Sequence, residues 1–216
     1  MRKLWTVFLL LSAVGAGGCS GARYLIYLVE PGARKTTVPA EHDLAGETVA
    51  IVVYAGPETQ LEYPNVQVEI HDAVAAEMTK NVKDVTVVDP RRVIRYQAEN
   101  PDWHSEPPEK LCRVFRCDAV VLVSLVEFTS REPGSIHLAR GRITAEASVY
   151  QPARRGPDAR PAGCAWRSET IRVVHPKDAP VGLPIGNDWK LRMDTERIFA
   201  ALLVRSFYKH KVQRQS

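Results

Sequence analysis

The chain has 216 residues and a formal net charge of +4, from 29 basic and 25 acidic side chains. The two signs are interspersed along the sequence, which excludes a nucleic-acid-binding protein as the reading of its charge. At 45 % hydrophobic residues the chain can bury a sizeable core, and one domain is the expected organisation.

In chain order, Met1-Arg2-Lys3 precedes an apolar-rich run from Leu4 to Val14, closed by Ala16-Gly17-Gly18-Cys19. That is the layout of an export signal, with a basic start, a short apolar stretch and small residues before the cut. Eleven positions from Leu4 to Val14 fall short of the ~20 that a hydrocarbon core demands, so no retained membrane helix is expected. The motif resembles the lipobox of bacterial lipoproteins. The resemblance implies cleavage before Cys19, lipid on its sulfur and new amino group, and a stable anchor, because two acyl chains hold where one does not. Ser20 stands where retained inner-membrane lipoproteins of some bacteria carry Asp, which implies the outer membrane, facing the periplasm. The alternative is ordinary secretion, with a cut after Ala13-Val14-Gly15 and Cys19 left as a thiol. Residues 1–18 are thus expected to be a signal peptide, 19–46 a lipidated tether with an approach segment, and 47–212 the domain.

Glu47 to Tyr54 is a β-branched run without polar alternation, as in a strand covered on both faces. Val66, Ile70, Val74, Met78 and Val82 recur every fourth position and predict an amphipathic helix from Pro64 to Val82. Val85 to Val88 reads as a short strand, and Asp89-Pro90 as the cap and first residue of a short helix ending before Asn100-Pro101. Glu109 to Arg116 is a further short helix with Leu111, Val114 and Phe115 as its apolar side. Asp118 to Phe128 carries the strongest strand signal and belongs at the centre of the sheet. Ile143 to Tyr150 alternates as a half-exposed antiparallel strand does, and Ala165 to Val174 is expected to be a third long strand. Trp189 to Lys211 predicts a closing helix, with Lys209, His210, Lys211 and Arg214 at its negative pole, and Trp166 and Trp189, which bracket the last strand and this helix, read as core or edge packing.

These elements make an α/β fold with a single mixed sheet, its early strands parallel and its late strands antiparallel, with helices packed on it. The order resembles the small domain shared by CsgG, LpoB and the amino-terminal domain of TolB. The residues that carry the resemblance are the strand Thr48 to Tyr54, the helix Val66 to Val82, Asp118 followed by its apolar strand, and the terminal helix ending at Phe207. It implies a non-enzymatic lipoprotein that binds or organises envelope components, an envelope protein or peptidoglycan-associated partner among them. Because CsgG-like domains form rings, a homo-oligomer is a further option. No pair of long alternating segments is available to insert as a membrane barrel.

Candidate chemistry is sparse. Phosphate loops, nucleophile elbows and His-Glu-x-x-His pairs are absent from the sequence, and no cofactor or metal is implied. The six histidines are scattered and read as surface or lightly buried residues. Cys112, Cys117 and Cys164 leave three options open: a disulfide with one free thiol, buried small apolar side chains, or a thiol-dependent enzyme. The loop around Asp102, Trp103, His104, Glu106 and Glu109 reads either as a solvated connection with its Trp packed on the domain, or as the lining of a groove. The tip from Gln151 to Gly163 is rich in Pro and Gly. Its Arg154, Arg155 and Arg160 are candidate contacts for an anionic partner or lipid headgroups, the other option being a mobile, solvated hairpin end.

Overall fold

A computed structural model describes residues 35–135, 137–153, 161–178, 182–184, 186 and 188–213. The signal, Cys19, Arg154, Arg155 and Arg160 lie outside the described residues. The described residues fall into two compact units, 35–38 with 211–213 and Pro39–His210. Strand β1 (Lys35–Val38) pairs with β9 (His210–Gln213).

The larger unit is built on a mixed seven-stranded sheet ordered β3 (Thr86–Val87), β2 (Thr48–Tyr54), β4 (Ala119–Arg131), β5 (Leu138–Gln151) and β6 (Gly163–Arg167), with β7 (Ile171–His175) and β8 (Leu183–Pro184) also paired to β5. Strand β2 (Thr48–Tyr54) runs parallel to both β3 (Thr86–Val87) and β4 (Ala119–Arg131), while β5 (Leu138–Gln151) runs antiparallel to β4. Asp118 sets the register of the central pair. Its N–H donates to the Thr48 carbonyl (2.8 Å), and its Oδ2 accepts from the Thr48 N–H (2.9 Å).

Each face of the sheet has its own core. On the first face, Val49, Ile51, Val53, Val121 and Val123 meet helix α2 (Val66–Asn81) and helix α5 (Asp188–Val204), with Val66, Ile70, Val74, Met78, Phe199 and Leu203 fully buried. Each such side chain contributes about 1.5–3 kcal/mol when removed from water. Leu44, in the expected approach segment, is also fully buried in this core. On the second face, Ala50, Val52 and Val120 meet α3 (Pro90–Glu99), a 3-10 turn (Trp103–Ser105) and α4 (Glu109–Phe115). A short α1 (Pro57–Glu62) links β2 to α2. The Asp89 cap is present, its Oδ1 accepting from the Arg91 N–H at 2.8 Å.

Several expectations need correction. Val114 is 41 % exposed, and Cys112 takes its place on the buried side of α4 together with Leu111 and Phe115. The expected long third strand is two strands, β6 (Gly163–Arg167) and β7 (Ile171–His175), both paired to β5. Between them Ser168 bonds Ala147 through both its N–H and its hydroxyl, which breaks the regular ladder. Strand β5 is covered rather than half-exposed: Thr144 is buried and its hydroxyl donates to Glu127 Oε2 (3.0 Å), and Ser148 is buried beside β6. The closing helix stops at Val204 and finishes in a 3-10 turn (Arg205–Phe207), so the basic residues from Lys209 onward lie beyond its pole. Trp189, expected to pack, is 60 % exposed.

A bulge in β4 between Leu125 and Glu127 shifts its side-chain phase, and a second register shift, opposite Thr129–Arg131, places the extra residue in β5. Phe128 and Ser130 consequently turn onto the first face, where Phe128 packs edge-on against Tyr63 (4.9 Å between ring centres) and the Tyr63 hydroxyl accepts from the Ser130 N–H (3.1 Å).

Candidate functional site

The carboxyl end of β2, where Tyr54 is the register partner of Ser124 midway along β4, opens into a groove on the second face. The chain passes from β2 to β3 through α2 on the first face and returns from β3 across β2 to β4 through α3 and α4 on the second. In open α/β sheets such a switch point leaves a crevice outside the strand ends.

Local chemistry shapes the walls. Asn100-Pro101 ends α3, with the Asn100 N–H and Nδ2 both donating to the Tyr96 carbonyl. The Trp103 N–H then donates to the Asn100 carbonyl (3.0 Å), which starts the 3-10 turn and tucks the Trp103 ring inward. His104, the next residue, points outward and lays its ring on Tyr54 (5.4 Å between ring centres, 37° between planes), while Trp103 meets Tyr54 edge-on at 6.1 Å. Pro107-Pro108 leads into α4, whose Leu111 joins Leu122 as apolar lining.

Two adjoining cavities share Tyr54, Trp103 and His104. The first, about 280 Å³, has the apolar lining together with Glu106 and Ser124. The second, about 440 Å³, is walled by Gln60, Gln67 and Gln97 among apolar residues of α1, α2 and α3. Gln67 and Gln97 both donate through Nε2 to the Val53 carbonyl (2.9 and 3.0 Å), reaching it from opposite faces of the sheet, and Gln60 donates to the Ala55 carbonyl (2.6 Å).

Ser124, His104 and Glu106 line one cavity, but no hydrogen bond joins them, and the Glu106 carboxylate instead lies 4.0 Å from Lys110 Nζ. The arrangement therefore offers surface and hydrogen bonds, not an activated nucleophile. Among the described residues no group of three or more His, Cys, Asp or Glu is placed to hold a metal, and no helix is long and apolar enough to cross a membrane.

The groove joins both readings of the Asp102–Glu109 loop: Trp103 packs on the domain and its neighbours line a groove. The three glutamines gave no signal in the sequence, since Gln on a helix reads as ordinary solvated surface. The thiols are free, Cys112 and Cys117 buried and Cys164 exposed. A hydrogen bond with Cys117, reinforced by burial, pushes the Cys112 thiol upward and away from reactivity. His71 is not a surface residue but is fully buried in α2, its Nδ1 3.2 Å from Asp72 Oδ1, and burial lowers its pKa.

A second cleft, about 560 Å³, lies between α2 and α5. Here the Glu69 carboxylate accepts from Arg192 Nη2 (3.1 Å), and Glu196, 5 % exposed, lies 3.7 Å from Arg192 Nε. Burial, with Glu69 adding to it, pushes the Glu196 carboxyl up to about 7.

No protein-family model and no curated protein matches the chain. Solved structures overlap it in part. Lipoprotein GNA1162 from Neisseria meningitidis is 18 % identical with a TM-score of 0.39, over 59 % of this chain and 83 % of that one. A PelC dodecamer from Paraburkholderia phytofirmans is 10 % identical with a TM-score of 0.44, over 81 % and 97 %. The hypothetical protein CT253 from Chlamydia trachomatis is 12 % identical with a TM-score of 0.38, over 60 % and 73 %.

Proposed function

We propose that the chain is a lipid-anchored envelope protein, held at the outer membrane through Cys19 with its domain toward the periplasm. Its α/β domain, of the CsgG, LpoB and TolB amino-terminal kind, acts as a non-enzymatic binding module. The observation that carries the binding role is the aromatic groove at the carboxyl end of β2, lined by Tyr54, Trp103 and His104. Open, largely apolar crevices with a few convergent polar groups are where small ligands bind. A thiol-dependent enzyme is the second reading: the hydrogen bond between Cys112 and Cys117 pushes the Cys112 thiol up and the Cys117 thiol down, but both side chains are buried.

Ligand-detected NMR with a library of neutral fragments tests the groove. Hits that vanish in Tyr54→Ala, with its circular dichroism unchanged, are expected; a library without any Tyr54-dependent hit overturns the binding role. For the anchor, Cys19→Ala should end palmitate incorporation and release the chain from membranes. A variant that still sediments with membranes contradicts it.

A further inference from the structure

The glutamine wall of the groove specifies what the groove can accept. Gln60, Gln67 and Gln97 each commit an Nε2 hydrogen to a carbonyl at the end of β2, which fixes the orientation of each carboxamide with nitrogen toward the strand. Gln97 is only 7 % exposed, and its Oε1 has no hydrogen-bond partner among the described residues. Buried amide oxygens are ordinarily satisfied, so an orphan at a cavity wall calls for a donor from outside the chain.

Three features narrow that donor. Among the described residues no Asp, Glu, Lys or Arg lines the glutamine cavity, so a ligand bringing a formal charge there would be desolvated without an opposite charge to meet it. A peptide would bind by pairing its backbone with a strand, but the Val53 and Ala55 carbonyls at the end of β2 are already capped by the glutamines. The opposing wall is the tilted pair of Tyr54 and His104 with Trp103 edge-on, a flat apolar surface suited to the C–H face of a ring.

We propose that the groove binds an uncharged saccharide, one ring face lying on Tyr54 and His104 and a hydroxyl donating to Gln97 Oε1. This rests on the reading of the groove as a ligand site. The cavity of about 440 Å³ falls within the roughly 300–1,000 Å³ typical of small-ligand sites.

The test uses the full-length chain in detergent and saturation-transfer NMR with three neutral trisaccharides: maltotriose, cellotriose and tri-N-acetylchitotriose. At least one should show transfer concentrated on the C–H protons of one ring face. Gln97→Leu should weaken it about tenfold, the effect of one lost hydrogen bond at a buried group. His104 is exposed, so His104→Ala keeps the fold and should also weaken binding. If none of the trisaccharides binds while indole or trialanine amide does so in a Tyr54-dependent way, the saccharide assignment falls and the ligand site stands. If no probe shows Tyr54-dependent transfer, both fall. Binding unaffected by Gln97→Leu and His104→Ala overturns the assignment as well.

Discussion

The two faces of the sheet are built to different ends. On one, α2 and α5 press aliphatic and aromatic side chains onto β2, β4 and β5. On the other, α3, a 3-10 turn and α4 cover the strands with a smaller core and leave the crevice at Tyr54 and Ser124 open. Long helices with apolar residues every fourth position fill a face continuously, whereas short helices broken at Asn100-Pro101 and Pro107-Pro108 cannot. Stability is therefore concentrated on the first face, and the open groove lies on the second.

The sharpest way to break this contrast is Val121→Asp. An unpaired charge at this fully buried central position costs at least about 4 kcal/mol, and no cooperative thermal transition is expected; a normal transition would remove the first face as the seat of stability. Next is Gly141→Ala on β5, where an added Cβ would overlap Thr195 Oγ1 on α5. Denaturant unfolding should show a loss of roughly 1–3 kcal/mol, the range for overpacking.

Glu196 brings pH into the comparison. Its folded pKa, about 7, lies above its ordinary 4.5, so the folded state holds the proton more tightly. The resulting stability is complete below about 4.5, falls as pH rises toward 7 and is gone above it. Glu196→Gln should therefore be more stable than the parent by roughly 2 kcal/mol at pH 8 and show no excess near pH 4. His71 works in the opposite sense: its lowered pKa makes stability fall as pH drops below 6.5, and His71→Asn should blunt that acid limb. The smallest effect on stability belongs to the second face. His104→Ala should change unfolding free energy by no more than about 0.5 kcal/mol, so a large loss there would show that the groove wall is structural.

Periodicity made the first face legible. Val66, Ile70, Val74 and Met78 are predicted and found buried together, and the unbroken run Val49 to Val53 is covered on both sides. The second face was less so, because its groove gathers Tyr54, Gln97, Trp103 and Ser124 from separate elements, and only the loop after α3 hinted at it. Thr144 and Ser148 look solvated in the sequence, yet partners supplied by the tertiary fold bury them. Val114 and Trp189 failed in the opposite direction: apolar character alone does not say which side of a short helix, or which end of a long one, meets the sheet.

The pairing of Thr48 with Asp118 spans 70 residues, and this sets a timetable for folding. Strands β4 and β5 are neighbours in sequence and can zip together by local closure, whereas β2 reaches β4 only after a long loop has been drawn in. During synthesis the segment Val49-Ala50-Ile51-Val52-Val53 emerges first and waits longest for its mate. Until then it is an unclaimed, sticky edge of the kind that recruits other chains. A nascent fragment ending before Ala119 should therefore aggregate, and one that reaches Gln151 should not.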